Sequence, residues 1–167
     1  MDRTNQPESP AVICGWRERI ALPEWGVKRL KAKADTGART SAIDVSDLTE
    51  LPDDRVRFHL VVDRAHPEKM VEVEAVIVRR ARVRSSLGDR HERLIVRTTM
   101  RLGPFEKEIE IGLVCRKNML CRMLLGRSAL QPDLLVDSSR THILSRAPKR
   151  PSSTKRRASR DGRKRDS

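Results

Sequence analysis

The chain has 167 residues, a single domain's length, and its 36 Lys and Arg against 23 Asp and Glu give a net charge of +13. Aromatic residues are confined to Trp16, Trp25, Phe58 and Phe105, with no Tyr, which argues against a sheet that stacks RNA bases or single strands. Apolar stretches such as Ala75-Val76-Ile77-Val78 fall far short of the roughly 20 residues a membrane-spanning helix needs.

Read in chain order, residues 1–11 are polar and lack the basic-then-apolar layout of a secretory signal, so they are expected to be disordered and the protein cytoplasmic. Residues 12–145 form the expected domain. Ala11 to Leu22 reads as strand, closed by a turn at Pro23-Glu24-Trp25-Gly26. Leu30, Ala32 and Ala34 alternate with lysines, the pattern of a half-buried strand, and Ser41 to Val45 forms a short one. Arg55 to Val62 is the next strand, and a turn over 65–69 follows. Val71, Val73, Ala75 and Ile77 then alternate with Glu72, Glu74 and Val76. A turn over 85–89 leads to Leu94–Leu102, and Gly103-Pro104 turns the chain into a strand carrying Phe105, Ile109, Ile111 and Leu113. The helix candidate is short, Arg127 to Gln131, stopped by Pro132. Many short strands with tight turns and one short helix predict a mostly β, closed barrel or a sandwich. Residues 146–167 hold 10 Lys and Arg against 2 Asp and Glu with almost nothing to bury, and are expected to be a disordered basic tail that binds polyanions weakly.

Several chemistries find no support. Cys14, Cys115 and Cys121 form no Cys-x-x-Cys pair. His91-Glu92-Arg93-Leu94-Ile95 lacks the second His of a zinc-hydrolase helix, and no metal or cofactor is expected. No phosphate-binding Gly-rich loop ending in Gly-Lys-Ser/Thr exists, and Gly126-Arg127-Ser128-Ala129 lacks the second Gly of a nucleophile elbow.

One segment does carry chemistry. In Lys33-Ala34-Asp35-Thr36-Gly37-Ala38-Arg39-Thr40-Ser41 a strand runs into Asp-Thr-Gly-Ala and a second strand leaves it. An aspartic protease loop needs a carboxylate at a strand end, a Gly whose N–H can approach it and a hydroxyl to lock the loop; Asp35, Gly37 and Thr36 supply them, and Ala38 helps shape the turn. Asp and Gly are also ordinary turn formers, so the segment alone decides little. Downstream, Met123-Leu124-Leu125-Gly126-Arg127-Ser128-Ala129-Leu130 supplies two apolar residues, then Gly-Arg, then the short helix.

Together these two motifs resemble the retropepsin fold of retroviral proteases. More closely, the chain resembles the bacterial retropepsin-like aspartic endopeptidase family long labelled ATP-dependent zinc proteases, through Lys33 to Ser41, Arg79 to Ser86 and Met119 to Leu130. The resemblance implies a closed barrel from about Val12 to Leu144. It also implies that a strand carrying Leu124 and Leu125 passes under the Asp loop and enters the helix through Gly126, with Arg127 bracing the fold. Cys115 stands where the family pattern has an acidic residue. The zinc and ATP of the family's label find no ligand set in this chain.

An aspartic peptidase uses two carboxylates, and this chain has a single Asp-Thr-Gly, so a homodimer pairing Asp35 with its own mate is expected, Thr36 tying the two loops. Lys33 and Arg39 bracket Asp35 and are candidates to hold a substrate carboxylate, which points to a glutamate-rich peptide or isopeptide. The resemblance points the same way, since such proteins are often associated with ligases that add glutamates. Two other readings stay open: a basic β-domain that binds nucleic acid or the ribosome through Arg79, Arg80, Arg82, Arg84 and the tail, or a silent peptide-binding domain of the same fold.

Overall fold

A computed structural model describes residues 10–63, 65–66, 68–84, 90–115 and 121–145. Both expected disordered segments, apart from residues 10 and 11, lie outside the described residues, as do the turn over 85–89 and residues 116–120, which include Met119 and Leu120 of the last resembling stretch. Eleven strands and one α-helix follow in order: β1 (Val12–Gly15), β2 (Arg17–Leu22), β3 (Val27–Ala34), β4 (Ser41–Asp44), β5 (Ser46–Leu51), β6 (Arg55–Val61), β7 (Met70–Arg84), β8 (Arg90–Leu102), β9 (Phe105–Val114), β10 (Met123–Leu125), α1 (Arg127–Leu130) and β11 (Leu134–Asp137). No helix among the described residues is long and apolar enough to cross a membrane.

The main sheet runs β2-β3-β10-β4-β9-β8-β7-β6-β5, and a further β2–β8 pairing at Ala21↔Arg101 closes its first six strands into a barrel. Closure leaves those six without a free edge, which is the barrel's answer to the hazard of unpaired strand groups. The fold is the closed, mostly β barrel that the family resemblance implies, and not the sandwich that the strand pattern left open, with one short α-helix among the described residues. β5 and β6 extend the sheet past β7 as a flap of three antiparallel strands.

Alternation places the core. Along β2, Glu18, Ile20 and Leu22 point inward and Arg17, Arg19 and Ala21 outward; along β6, Val56, Phe58 and Leu60 are fully buried. Trp25, on a 3-10 turn (Pro23–Trp25), meets Phe58 edge-to-face at 5.4 Å and so ties the β2–β3 connection to the outer strands. Between β8 and β9, Leu102 pairs with Phe105, leaving a two-residue turn in which Gly103 takes φ +56° and Pro104 holds the second position. Proline cannot adopt positive φ, so the positive-φ residue of this turn must come first, where glycine carries no Cβ penalty.

Strands β5 and β11 are absent from the sequence reading, and two further details depart from it. The strand expected over Ala11 to Leu22 is split at Trp16: β1 leaves the barrel and pairs in parallel with β11, while β2 joins the barrel. The helix ends at Leu130, because Gln131, preceding a proline, is held extended (φ −79°, ψ 149°).

Candidate active site

The Asp loop is built where three strands meet. β10 lies between β3, parallel with Leu125↔Ala34, and β4, antiparallel with Leu124↔Ala42. Leu125 is buried and Leu124 half-buried, so the apolar pair anchors the loop's floor as the resemblance implies. The ladder runs one residue beyond β3: the Asp35 N–H donates to the Leu125 carbonyl at 2.8 Å, and the Ala34 N–H to the Trp16 carbonyl at 2.9 Å. Asp35 is therefore presented at a strand end, with its backbone fixed from the neighbouring strand.

The loop then turns around its own carboxylate. Asp35 Oδ1 accepts hydrogen bonds from the N–H groups of Gly37 and Ala38, both at 3.2 Å. Two backbone donors on one oxygen orient the carboxyl group, and the other oxygen has no such partner in the loop. A Cβ on Gly37 would lie 3.4 Å from Oδ1, an ordinary contact, so the space there is not what calls for glycine. Thr36 and Gly37 are exposed.

Helix α1 braces the loop from the other side. The Arg127 guanidinium donates from Nη1 to the carbonyls of Thr36 (2.9 Å) and Gly37 (3.0 Å), and the Arg127 N–H donates to the Ala38 carbonyl at 2.9 Å. The Ser128 N–H and hydroxyl both donate to the Arg39 carbonyl, at 3.0 and 2.9 Å. Gly126, at the helix start, donates its N–H to the buried Ser41 hydroxyl at 3.1 Å. A Cβ on Gly126 would sit 2.6 Å from the Thr40 carbonyl carbon, so here a close backbone approach demands glycine. Every carbonyl from Thr36 to Arg39 is thus held by one short helix. Ser41 and Ser128 are missed by the sequence reading as supports; their hydroxyls lie within the two motifs, which was the available signal.

Lys33 and Arg39 are both exposed, and neither has an acidic partner among the described residues. Arg39 and Thr40 line an open groove of about 720 Å³, together with Ser128, Arg79, Arg97 and Glu110. Arg79 crosses this groove: it bonds Glu110 at 2.8 Å and reaches the Thr40 hydroxyl at 3.4 Å. Arg80 is held by Glu50 at 2.7 Å and Glu92 at 3.5 Å. Two of the arginines that a phosphate-binding strand would need are therefore neutralised by glutamates. Cys115 is exposed at the end of β9; burial of its sulfur, then the charges of Asp44 and Asp47, push its thiol above the ordinary range. Asp44 itself is buried and paired with Arg122.

Comparison with known proteins agrees with this geometry. Proteins named probable alpha-L-glutamate ligase from Shewanella pealeana and Desulfotalea psychrophila are 33% identical over 135 residues and 30% identical over 128 residues. The matches cover 79% and 75% of this chain, which spans about a third or less of those relatives' own length (30% and 28%). The crystal structure of a Legionella pneumophila protein of unknown function is similar with a TM-score of 0.67 at 26% identity, over 81% of this chain and 99% of that one. Residues 13–147 match the family model described as retropepsin-like aspartic endopeptidase RimB, and the chain belongs to this RimB-like family.

Proposed function

We propose that the protein is an aspartic peptidase that hydrolyses peptide or isopeptide bonds in glutamate-rich substrates, with Asp35 paired to Asp35 of a second copy. The observation that carries the reading is the Asp35 carboxylate, fixed at a strand end by the Gly37 and Ala38 N–H groups within a loop that holds no second acid. One carboxylate cannot both take a proton from water and give one to the scissile carbonyl, so the partner acid comes from a twofold mate.

In the pair the two carboxyl groups share one proton. The ionised Asp35 removes a proton from the bound water as its oxygen attacks the carbonyl carbon. The protonated Asp35 of the mate donates to the carbonyl oxygen, giving a tetrahedral diol. Collapse of the diol breaks the C–N bond: the first carboxyl group gives its proton to the leaving nitrogen while the mate's carboxylate takes a proton from a diol hydroxyl, which becomes the product carboxyl's C=O, restoring the shared-proton pair. The buried floor under Asp35 and the helix behind the loop keep both carboxyl groups in place without rearrangement during the reaction.

Substrate preference rests on Lys33 and Arg39, exposed cations on either side of Asp35 with no acidic partner among the described residues. The relatives' names concern glutamate, which supports an acidic substrate. Ligation itself belongs to proteins of which this chain matches under a third. The test compares hydrolysis of a glutamate-rich peptide with that of an apolar one, in wild type, Asp35→Asn, Lys33→Ala and Arg39→Ala. Asp35→Asn abolishes cleavage, and the other two raise KM for the acidic peptide. A preference for the apolar peptide, unmoved by either cation substitution, would refute the substrate assignment.

A further inference from the structure

The outward face of β2 and β3 differs from that of β6 to β9. On β6 to β9 most outward arginines are matched with glutamates: Arg55 and Arg57 with Glu74, Arg79 and Arg97 with Glu110, Arg80 with Glu50, Arg101 with Glu106. On β2 and β3 cation faces cation. Arg17 pairs with Lys33 and Arg19 with Lys31 across the antiparallel ladder. None of these four has an acidic partner among the described residues. Like charges directly opposite each other destabilise a sheet, so the arrangement works against the fold that carries it.

Two further observations concern the arginines of this face. Arg17 Nε and Arg19 Nη1 are buried atoms with no hydrogen-bond partner among the described residues. Arg17 is also held in place, its guanidinium lying 5.1 Å from the centre of the Trp16 ring. The electrostatics agree: burial, then the charges of Arg29 and Arg17, push the Arg19 guanidinium below its ordinary range. His142, whose N–H donates to the Arg17 carbonyl on the edge of β2, is pushed down by burial and then chiefly by Arg19.

The direction of the patch supplies the ligand. Lys31 and Lys33 lie at alternate positions of β3, and the next position in that alternation is Asp35, whose N–H still bonds the neighbouring strand. The row of cations therefore runs along the strand straight to the carboxylate. Its spacing of about 6.6 Å, two strand residues, equals that between alternate side chains of an extended peptide laid along it. We propose that Arg17, Arg19, Lys31 and Lys33 form a docking stripe for the extended acidic segment flanking the bond that Asp35 cuts. The role rests on the peptidase reading of Asp35. A nucleic acid fits the stripe less well, because Trp16 is the lone aromatic on it and the stripe leads into a loop suited to peptide bonds.

The experiment separates binding from cleavage by using the full chain with Asp35→Asn and a fluorescent oligoglutamate peptide as probe. Anisotropy titrations compare this protein with the same chain carrying Arg17→Ala, Arg19→Ala and Lys31→Ala, and with a control carrying Arg55→Ala and Arg57→Ala. The stripe variant binds oligoglutamate at least about tenfold more weakly with a shallower salt dependence, while the control keeps its affinity. The basic tail is common to all three and gives the same background. Should the stripe variant not fold, acetylation footprinting of the otherwise unaltered Asp35→Asn chain decides: the peptide shields Lys31 and Lys33 and leaves exposed Lys69 reactive. Unchanged affinity in a folded stripe variant, or unshielded Lys31, overturns the proposal. An oligonucleotide of matched charge that shields Lys31 where oligoglutamate does not also overturns it, in favour of a nucleic-acid surface. Wild-type protein that cleaves no peptide, with shielding intact, removes the peptidase reading and leaves the stripe as a binding site. Wild-type cleavage of an acidic peptide with KM unchanged in the stripe variant does the reverse.

Discussion

Gly126 and Arg39 approach so closely that a Cβ on the glycine would stand 2.7 Å from the Arg39 carbonyl oxygen. The contact joins the start of the helix to the end of the Asp loop. Nothing there is a flexible side-chain tip; the obstructing atoms are backbone of Arg39 and Thr40. Gly126→Ala therefore has to push helix and loop apart. The expected cost is about 3 kcal/mol of stability, read as a lower denaturant midpoint at unchanged slope. On the proposed peptidase reading, activity should fall further than the folded fraction does, because the displaced loop carries Asp35.

Arg127 separates bracing from folding. Its guanidinium lies on the surface and donates to two successive carbonyls of the loop, those of Thr36 and Gly37. Both bonds come from Nη1, which lies one bond farther from the backbone than a lysine Nζ, so a lysine ammonium falls short of the two carbonyls. Arg127→Lys should cost about 1 kcal/mol or less of stability and about tenfold in kcat. Thermal melting and steady-state kinetics on the same preparation check the split. An unchanged kcat would show that the backbone bonds from Arg127 and Ser128 suffice to hold the loop.

The site was readable because its parts are contiguous in sequence: Asp35 to Ala38 and Leu124 to Arg127 each form one short motif whose neighbours are fixed by strand pairing. The alternating strands were readable for the same local reason. The split at Trp16 was not, since apolar residues continue on both sides of it and only the distant β11 decides that β1 leaves the barrel. β5 carries Ser-Asp-Leu-Thr-Glu-Leu with hardly a buried position, so its strand character comes from pairing with β6. Glu18 looked like any charged residue in a half-buried strand. Its role depends on residues more than a hundred positions away.

That role yields a pH prediction. Glu18 is 2% exposed and accepts from the N–H groups of Gly15 (2.8 Å), Ile143 (2.8 Å), Leu144 (3.1 Å) and Ser145 (2.9 Å), and from the Ser145 hydroxyl. Burial pushes its carboxyl group up, but the Ser145 hydroxyl and the backbone donors outweigh burial and hold it below the usual 4.5. A carboxylate lowered on folding contributes stability that is fully present above its unfolded value and lost as pH falls through its folded value. Glu18→Gln should therefore cost about 2 kcal/mol at neutral pH, through a poorer acceptor facing five donors. The gap between variant and wild type should narrow as pH drops below about 4.5, where Glu18 takes up a proton in the unfolded chain before it does in the folded one. Urea titrations at a series of pH values measure it; a gap independent of pH would mean that shape, not charge, holds the segment 143–145.

The proposed pairing of two Asp35 carboxylates makes a prediction about mixtures. If each active site takes one Asp35 from each of two copies, a mixed dimer of wild type and Asp35→Asn holds one carboxyl and one amide and cannot pass the shared proton. Equal amounts of the two chains, unfolded together and refolded at constant total concentration, should then give about one quarter of the all-wild-type activity, the share of dimers with two intact loops. Independent sites would give about one half. The same contrast extends along the series, activity following the square of the wild-type fraction in the first case and the fraction itself in the second. The Asp35→Asn substitution suits the comparison because the amide oxygen can still accept from Gly37 and Ala38, leaving the loop's geometry intact. A linear series, with size-exclusion confirming that the chains have mixed, would assign the complete chemistry to a single copy and require a second acid from within the same chain.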